Sequence, residues 1–162
     1  MARGPSETLD IGAAHRRLST ECFNQAWTLI EKADRTSQDD EAMVLCALAS
    51  LWHWTQRPDC NDQSLSIGHW QVSRIYALAG QGENAMRHAQ RSLDLAVECS
   101  PFFIGYAHEA MARAATLLAD QNIFLSHLKQ AKACAAAIAD SSERALLEKD
   151  LCLLSDSWSP AP

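Results

Sequence analysis

The chain has 162 residues, 48% of them apolar, and a formal net charge of -6. That length suits one domain whose core buries roughly 70% of the unfolded surface. The two signs of charge are interspersed, which excludes the concentrated basic face that nucleic acid needs. No run reaches the roughly 18 apolar residues of a membrane span, and the segment Met1 to Leu18, charged at Arg3, Glu7, Asp10, Arg16 and Arg17, lacks the apolar stretch of a secretory signal. A cytoplasmic protein with no membrane contact is therefore expected.

Abundant Ala and Leu with little Val and Ile predict an all-α fold. Residues 1–7, with Gly4, Pro5 and Ser6, are expected to be disordered, and a single helical domain to occupy 8–154. The first helix runs to about Ala33, with Leu18, Cys22, Ala26, Leu29 and Ala33 along one face. A polar run from Asp34 to Asp40 ends it. The second spans about Asp40 to Gln56 and stops before Pro58. Within it, Trp52 and Trp54 lie about 200° apart, so one ring is expected in the core and the other at an edge.

Residues 57–64 have the Pro, Asp and Asn content of a connection. The third helix covers about Leu65 to Ala79, and Gly80 with Gly82 is predicted to supply the positive-φ positions of a tight turn. The fourth runs from Glu83 to about Cys99. Ser100 and Pro101 read as an N-cap and first-turn proline that open a fifth helix, ending near Ala119. After the turn Asp120–Asn122 a sixth helix ends near Asp140, and Asp140 with Glu143 starts a seventh that ends near Leu154. The tail 155–162 is predicted to be flexible, with Trp158 loose within it.

Helical hairpins of this kind leave a periodic trace: His69, Arg74, Leu78 and His88 recur about 39 residues on as His108, Arg113, Leu117 and His127. Around Trp70 to Leu93, Val72, Ser73 and Tyr76, then Gly80, then Ala85, Ala89, Ser92 and Leu93 form a second pattern. This stretch resembles a tetratricopeptide repeat, in which small residues let paired helices approach and an aromatic fills the remaining gap. Met111, Ala112 and Ala131 carry a weaker copy, and Ala42 and Ala49 a third. The motif departs from the family where His69 stands in place of the aromatic, which moves to Trp70, and where the closing proline comes late as Pro101. The resemblance, shared with bacterial proteins of this type that have no assigned activity, implies antiparallel hairpins stacked as a short right-handed superhelix of about seven helices. It also implies a concave groove lined by the first helix of each pair.

In that register the groove floor is Trp27, Glu31, Trp70, Arg74, Tyr106, Glu109 and Arg113. Trp70 with Arg74 and Glu109 with Arg113 are i, i+4 pairs, whereas His69 and Arg74, about 140° apart, cannot meet on one ligand. Aromatic anchors beside arginines suit a peptide or partner protein that carries carboxylates. The competing reading has Arg74 and Arg113 neutralised by Glu31 and Glu109 as internal ion pairs.

His69 and His108 are expected as half-buried rings bonded to a backbone group or carboxylate, the sharper alternative being a pH-sensitive or metal-binding pair. His88 and His127 are expected in solvent. Cys22, Cys46, Cys60, Cys99, Cys134 and Cys152 show no Cys-x-x-Cys spacing and read as small buried side chains, with Cys60 the exception in a polar loop.

No catalytic signature emerges. His108-Glu109 begins like the zincin helix motif, but Ala112 stands where the second histidine is required. His53, Cys60 and His69 match no standard metal spacing. With no Gly-rich phosphate loop and no nucleophile elbow, no metal or cofactor is predicted. The sequence thus favours a non-catalytic interaction scaffold. A small-ligand or metal-responsive sensor, or an enzyme without a recognisable motif, is the alternative, its pocket near His53, Trp54, His69 and Glu109. A self-assembling protein, such as a homodimer through the first or last helix, is the other.

Overall fold

Helix starts in this chain are set by side chains that accept otherwise orphaned N–H groups. The structure, a computed structural model, describes residues 10–158. These form α1 (Ile11–Ile30), α2 (Ser37–Thr55), α3 (Asp62–Leu78), α4 (Gly82–Leu95), α5 (Pro101–Leu117), α6 (Gln121–Ala137) and α7 (Ser141–Ser157). Asp10, Thr36, Asn61, Asp120 and Asp140 each cap the helix that follows. Thr36 and Asp39 make a reciprocal capping box, so α2 begins before the expected Asp40. Asn61 likewise starts α3 ahead of Leu65. At the other end of α1, Arg35 Nη1 donates to Ile30 O at 2.8 Å and the helix ends before Ala33. α4 ends at Leu95 rather than Cys99, because the Cys99 N–H closes a turn onto Ala96 O at 2.8 Å.

α1–α2, α3–α4 and α5–α6 are antiparallel hairpins stacked in chain order, and α7 packs against α5 and α6. The second and third hairpins repeat in detail. Gly80 sits at φ 71 and the Gln81 N–H returns to Tyr76 O at 2.8 Å; Ala119 sits at φ 53 and the Asp120 N–H returns to Ala115 O at 3.1 Å. Both are helix ends of the Schellman type, which place one residue in the left-handed region. Gly82, expected to share the positive φ, is instead the first residue of α4, where it admits the side chains of Leu117 and Leu118.

The core is built largely from small residues. Ala26, Met43, Ala47, Leu51, Val72 and Ile75 join the first hairpin to α3. Ala89, Ala110 and Met111 continue inward, and Phe124, Leu128, Leu147, Leu151 and Leu154 close the far end around α5. Serines stitch the close approaches: Ser50 Oγ donates to Ser19 O at 2.7 Å, Ser73 Oγ to Ala85 O at 2.8 Å, and Ser66 and Ser92 bond reciprocally. Gly105 seats α7, since a Cβ there would lie 2.5 Å from Leu147 Cδ2.

α7 continues past the expected end at Leu154 to Ser157, and Trp158 is not loose. Its ring stacks on Phe124 with centroids 4.2 Å apart. The expected disorder of residues 1–7 and the rest of the predicted tail, 159–162, lie outside the described residues. Among the described residues, no helix is long and apolar enough to cross a membrane.

The left-handed turn at Ala119 carries a steric penalty that the equivalent Gly80 does not. Ala119→Gly should therefore stabilise the fold by roughly 0.5–1 kcal/mol, the relief of strain exceeding the added chain entropy. Urea unfolding checks this through a higher midpoint at unchanged m value.

Candidate functional site

One wall of the stack carries a row of aromatic rings. Trp27 projects from α1, Trp70 from α3 and Tyr106 from α5; the Trp27 and Trp70 centroids are 5.8 Å apart, and Trp70 and Tyr106 meet edge-on at 5.2 Å. Phe102, one turn before Tyr106, extends the row at 5.0 Å. These spacings are those of favourable aromatic pairs. The rings line an open cavity of about 510 Å³, completed by Glu31 and Arg74, by Phe103, and by Leu146, Lys149 and Asp150 from α7. Five of the residues read from the sequence as groove floor, Trp27, Glu31, Trp70, Arg74 and Tyr106, thus face one cavity.

Glu109 and Arg113 do not line it. Glu109 is fully buried, accepts from the Trp70 indole N–H at 3.3 Å, and is the salt-bridge partner of Arg113. Internal pairing, the competing reading, therefore holds for Arg113 with Glu109, while Arg74 is paired with Asp150 and not with Glu31. Arg74 lies to one side of the two indoles, its guanidinium carbon 5.8 Å from each ring. Its nearest carboxylate is Asp150, 3.8 Å from Nη1, rather than Glu31, which is exposed at the rim. At 3.8 Å that contact is an ion pair without a hydrogen bond. Nε and Nη1 are screened from solvent and have no hydrogen-bond acceptor. Asp150 instead accepts from the Tyr106 hydroxyl at 3.2 Å. Burial, and then the Asp150 charge, raises the Tyr106 pKa well above its ordinary value, so the hydroxyl remains a donor.

Phe102, Phe103, Lys149 and Asp150 were not read from the sequence as groove residues. Phe102 was within reach of sequence reasoning, being at i-4 from Tyr106. Asp150 had no such signal, because α7 reaches the cavity through its packing on α5 and α6, including Leu147 against Gly105.

The residues of the alternative pocket are engaged elsewhere. His53 bonds to His15, Nδ1 to Nδ1 at 2.8 Å, and His69 bonds to His88 at 3.0 Å. Trp54 packs beneath the Arg57 guanidinium, 3.6 Å from the ring centroid, and borders a separate depression with Phe23 and Gly68. Trp52 is 55% exposed, so neither tryptophan of that pair enters the core. His53, Cys60 and His69 do not converge, and no cluster of three His, Cys, Asp or Glu suited to a metal occurs among the described residues.

Each hairpin holds one imidazole pair, the third being His108 with His127 at 2.8 Å. The partner of His69 and His108 is thus another histidine, neither backbone nor carboxylate. His88 and His127, expected in solvent, are partly buried. Such a bond needs one ring to donate Nδ1–H and the other to present a bare Nδ1. The cysteines are all free: five are partly buried, Cys60 among them, and the exposed one is Cys152 on the outer face of α7.

Comparison with known proteins adds no assignment: no family model, curated protein or solved structure matches this chain.

Two consequences follow from these bonds. Arg113→Ala leaves the buried Glu109 carboxylate with only the Trp70 N–H and should cost about 3 kcal/mol, seen as a thermal midpoint lower by on the order of 10 °C. The histidines give the second. Burial, followed by the neighbouring imidazole, lowers the pKa of His69 and of His108 to about 4 from an ordinary 6.5. The unfolded chain takes up protons first as pH falls, so stability is complete above 6.5 and declines toward 4, by about 1.4 kcal/mol per pH unit for each proton excluded from the native state. Denaturant midpoints between pH 7.5 and 4 measure that slope, and His108→Gln should reduce it.

Proposed function

We propose that this protein is a non-catalytic interaction module whose concave face receives a segment of a peptide or partner protein. The observation that carries this reading is the convergence of aromatic side chains from α1, α3 and α5 on one open cavity of about 510 Å³. Large rings held by their neighbours offer contact area at little entropic cost, as binding anchors do. The tetratricopeptide-like pattern around Tyr76 and Gly80 favours the same face, because the first helix of each hairpin lines it. Of the proposed contact residues, Trp27, Trp70, Arg74 and Tyr106 remain as direct contacts and Glu31 as a rim charge. Glu109 and Arg113 become supports, since they hold Trp70 and each other. The four residues of the alternative sensor pocket are each engaged with other neighbours, which favours the groove over that reading.

The test is selection from a displayed random-peptide library on the intact protein. Peptides enriched on the wild type should bind Trp27→Ala and Phe103→Ala at least tenfold more weakly, with helicity unchanged by circular dichroism. Arg87→Ala, on the outer face, should bind as the wild type does. Equal enrichment on wild type and Trp27→Ala, or competition only by changes outside the groove, would remove this function.

A further inference from the structure

We infer that the groove contains a seat for one carboxylate of the partner, formed by Arg74 beside Trp27 and Trp70, and that the group it fits is an Asp or Glu presented by a helix. The inference rests on the groove reading above and specifies what the groove recognises.

Arg74 lies beside both indole rings, and its Nε and Nη1 are screened from water without a hydrogen-bond acceptor. A charged donor left in that condition is costly, and an anion that displaces Asp150 to reach it removes the cost. The low local dielectric strengthens the new bond. Arg113, the matching arginine of the next hairpin, lacks this vacancy because Glu109 already serves it.

The charges around the cavity select the class of anion. Arg74 and Lys149 are balanced by Glu31 and Asp150, so a phosphate dianion is repelled by the two carboxylates more strongly than a singly charged carboxylate is. The planar aromatic walls leave room beside the seat for an apolar side chain.

α7 shows how such a group can be presented. Leu146 and Asp150, four residues apart on one helix, both border the cavity, and Asp150 stops 3.8 Å short on Arg74 while Tyr106 holds it at 3.2 Å. A partner helix with Leu-x-x-x-Asp on one face reproduces that chemistry and closes the distance. Asp150 is then a built-in competitor: its charge opposes the incoming carboxylate, and its bond to Tyr106 does not require that charge.

The test uses the full chain and a helical Ala/Lys-based peptide, acetylated and amidated, with one Leu-x-x-x-Asp pair and a fluorescent label. Its twin carries Asn in place of Asp. A third peptide has no acidic side chain and a free C-terminal carboxylate. The Asp peptide should bind at least tenfold more tightly than the Asn twin, and should shift the Arg74 Nε–H resonance, assigned with Arg74→Lys. Arg74→Gln should erase the difference between the twins. Asp150→Asn should tighten the Asp peptide several-fold at low salt and leave the Asn twin unchanged. Equal binding of the twins to wild type overturns the seat while the aromatic groove stands. Tighter binding of the C-terminal carboxylate peptide, or displacement of the Asp peptide by millimolar inorganic phosphate, overturns the assignment of the anion. If no peptide perturbs the emission of Trp27 or Trp70, seat and groove fall together.

Discussion

A carboxylate with no access to water must be fully served by its neighbours, and Glu109 imposes that condition at the centre of this protein. It lies in the middle of α5 with zero exposure. Arg113 supplies the opposing charge from one turn away and the Trp70 indole supplies an N–H from α3. The bond from Trp70 orients its ring, and that ring is the middle member of the aromatic row. Trp27 on one side and Tyr106 on the other both take their positions against it. The buried charge thereby sets the register between two hairpins, a role for which buried polar groups are suited even where they add little net stability.

The same wall depends on how little side chain separates the helices. α5 buries Gly105, Ala107, Ala110, Ala112, Ala114 and Ala115, so neighbouring backbones come close on several sides. Close approach leaves backbone carbonyls near small polar groups, and Ser50, Ser66, Ser73 and Ser92 use them. The result is a stack in which short side chains carry the contacts between helices and the large rings are left for the concave face. α7 belongs to that economy, because Leu147 enters the space a Cβ on Gly105 would fill and brings Asp150 to Arg74 and Tyr106.

Two electrostatic regimes coexist. In the His69–His88 and His108–His127 pairs burial favours the neutral rings, so these pairs act as hydrogen bonds and not as charges. In the groove the charges persist and are only partly matched. Arg74 is close enough to Asp150 for attraction and too far for a hydrogen bond. Neutral latches join α3 to α4 and α5 to α6, and an incompletely matched arginine remains in the concave face.

Periodicity in the chain was sufficient for the helices, their antiparallel pairing and the near-repetition of two hairpins, because each depends on spacing within a short stretch. The positions of Trp27, Trp70, Arg74 and Tyr106 on one face were legible only through the register that the tetratricopeptide resemblance implies. Some boundaries were missed where a single side chain cancels an orphan backbone group, as Thr36 and Asn61 do at helix starts and Arg35 does at a helix end. The histidine partners were not legible either: the residues recur along the sequence, but a bond from His69 to His88 depends on the rotation of α3 against α4. Which arginine is neutralised and which is left open was equally beyond one-dimensional spacing. Glu109 reaches Arg113 along its own helix, whereas the carboxylate nearest Arg74 arrives from α7, far along the chain, through close packing at Gly105. Local pattern specifies which faces exist; the fit of side chains between distant helices specifies which groups those faces bring together.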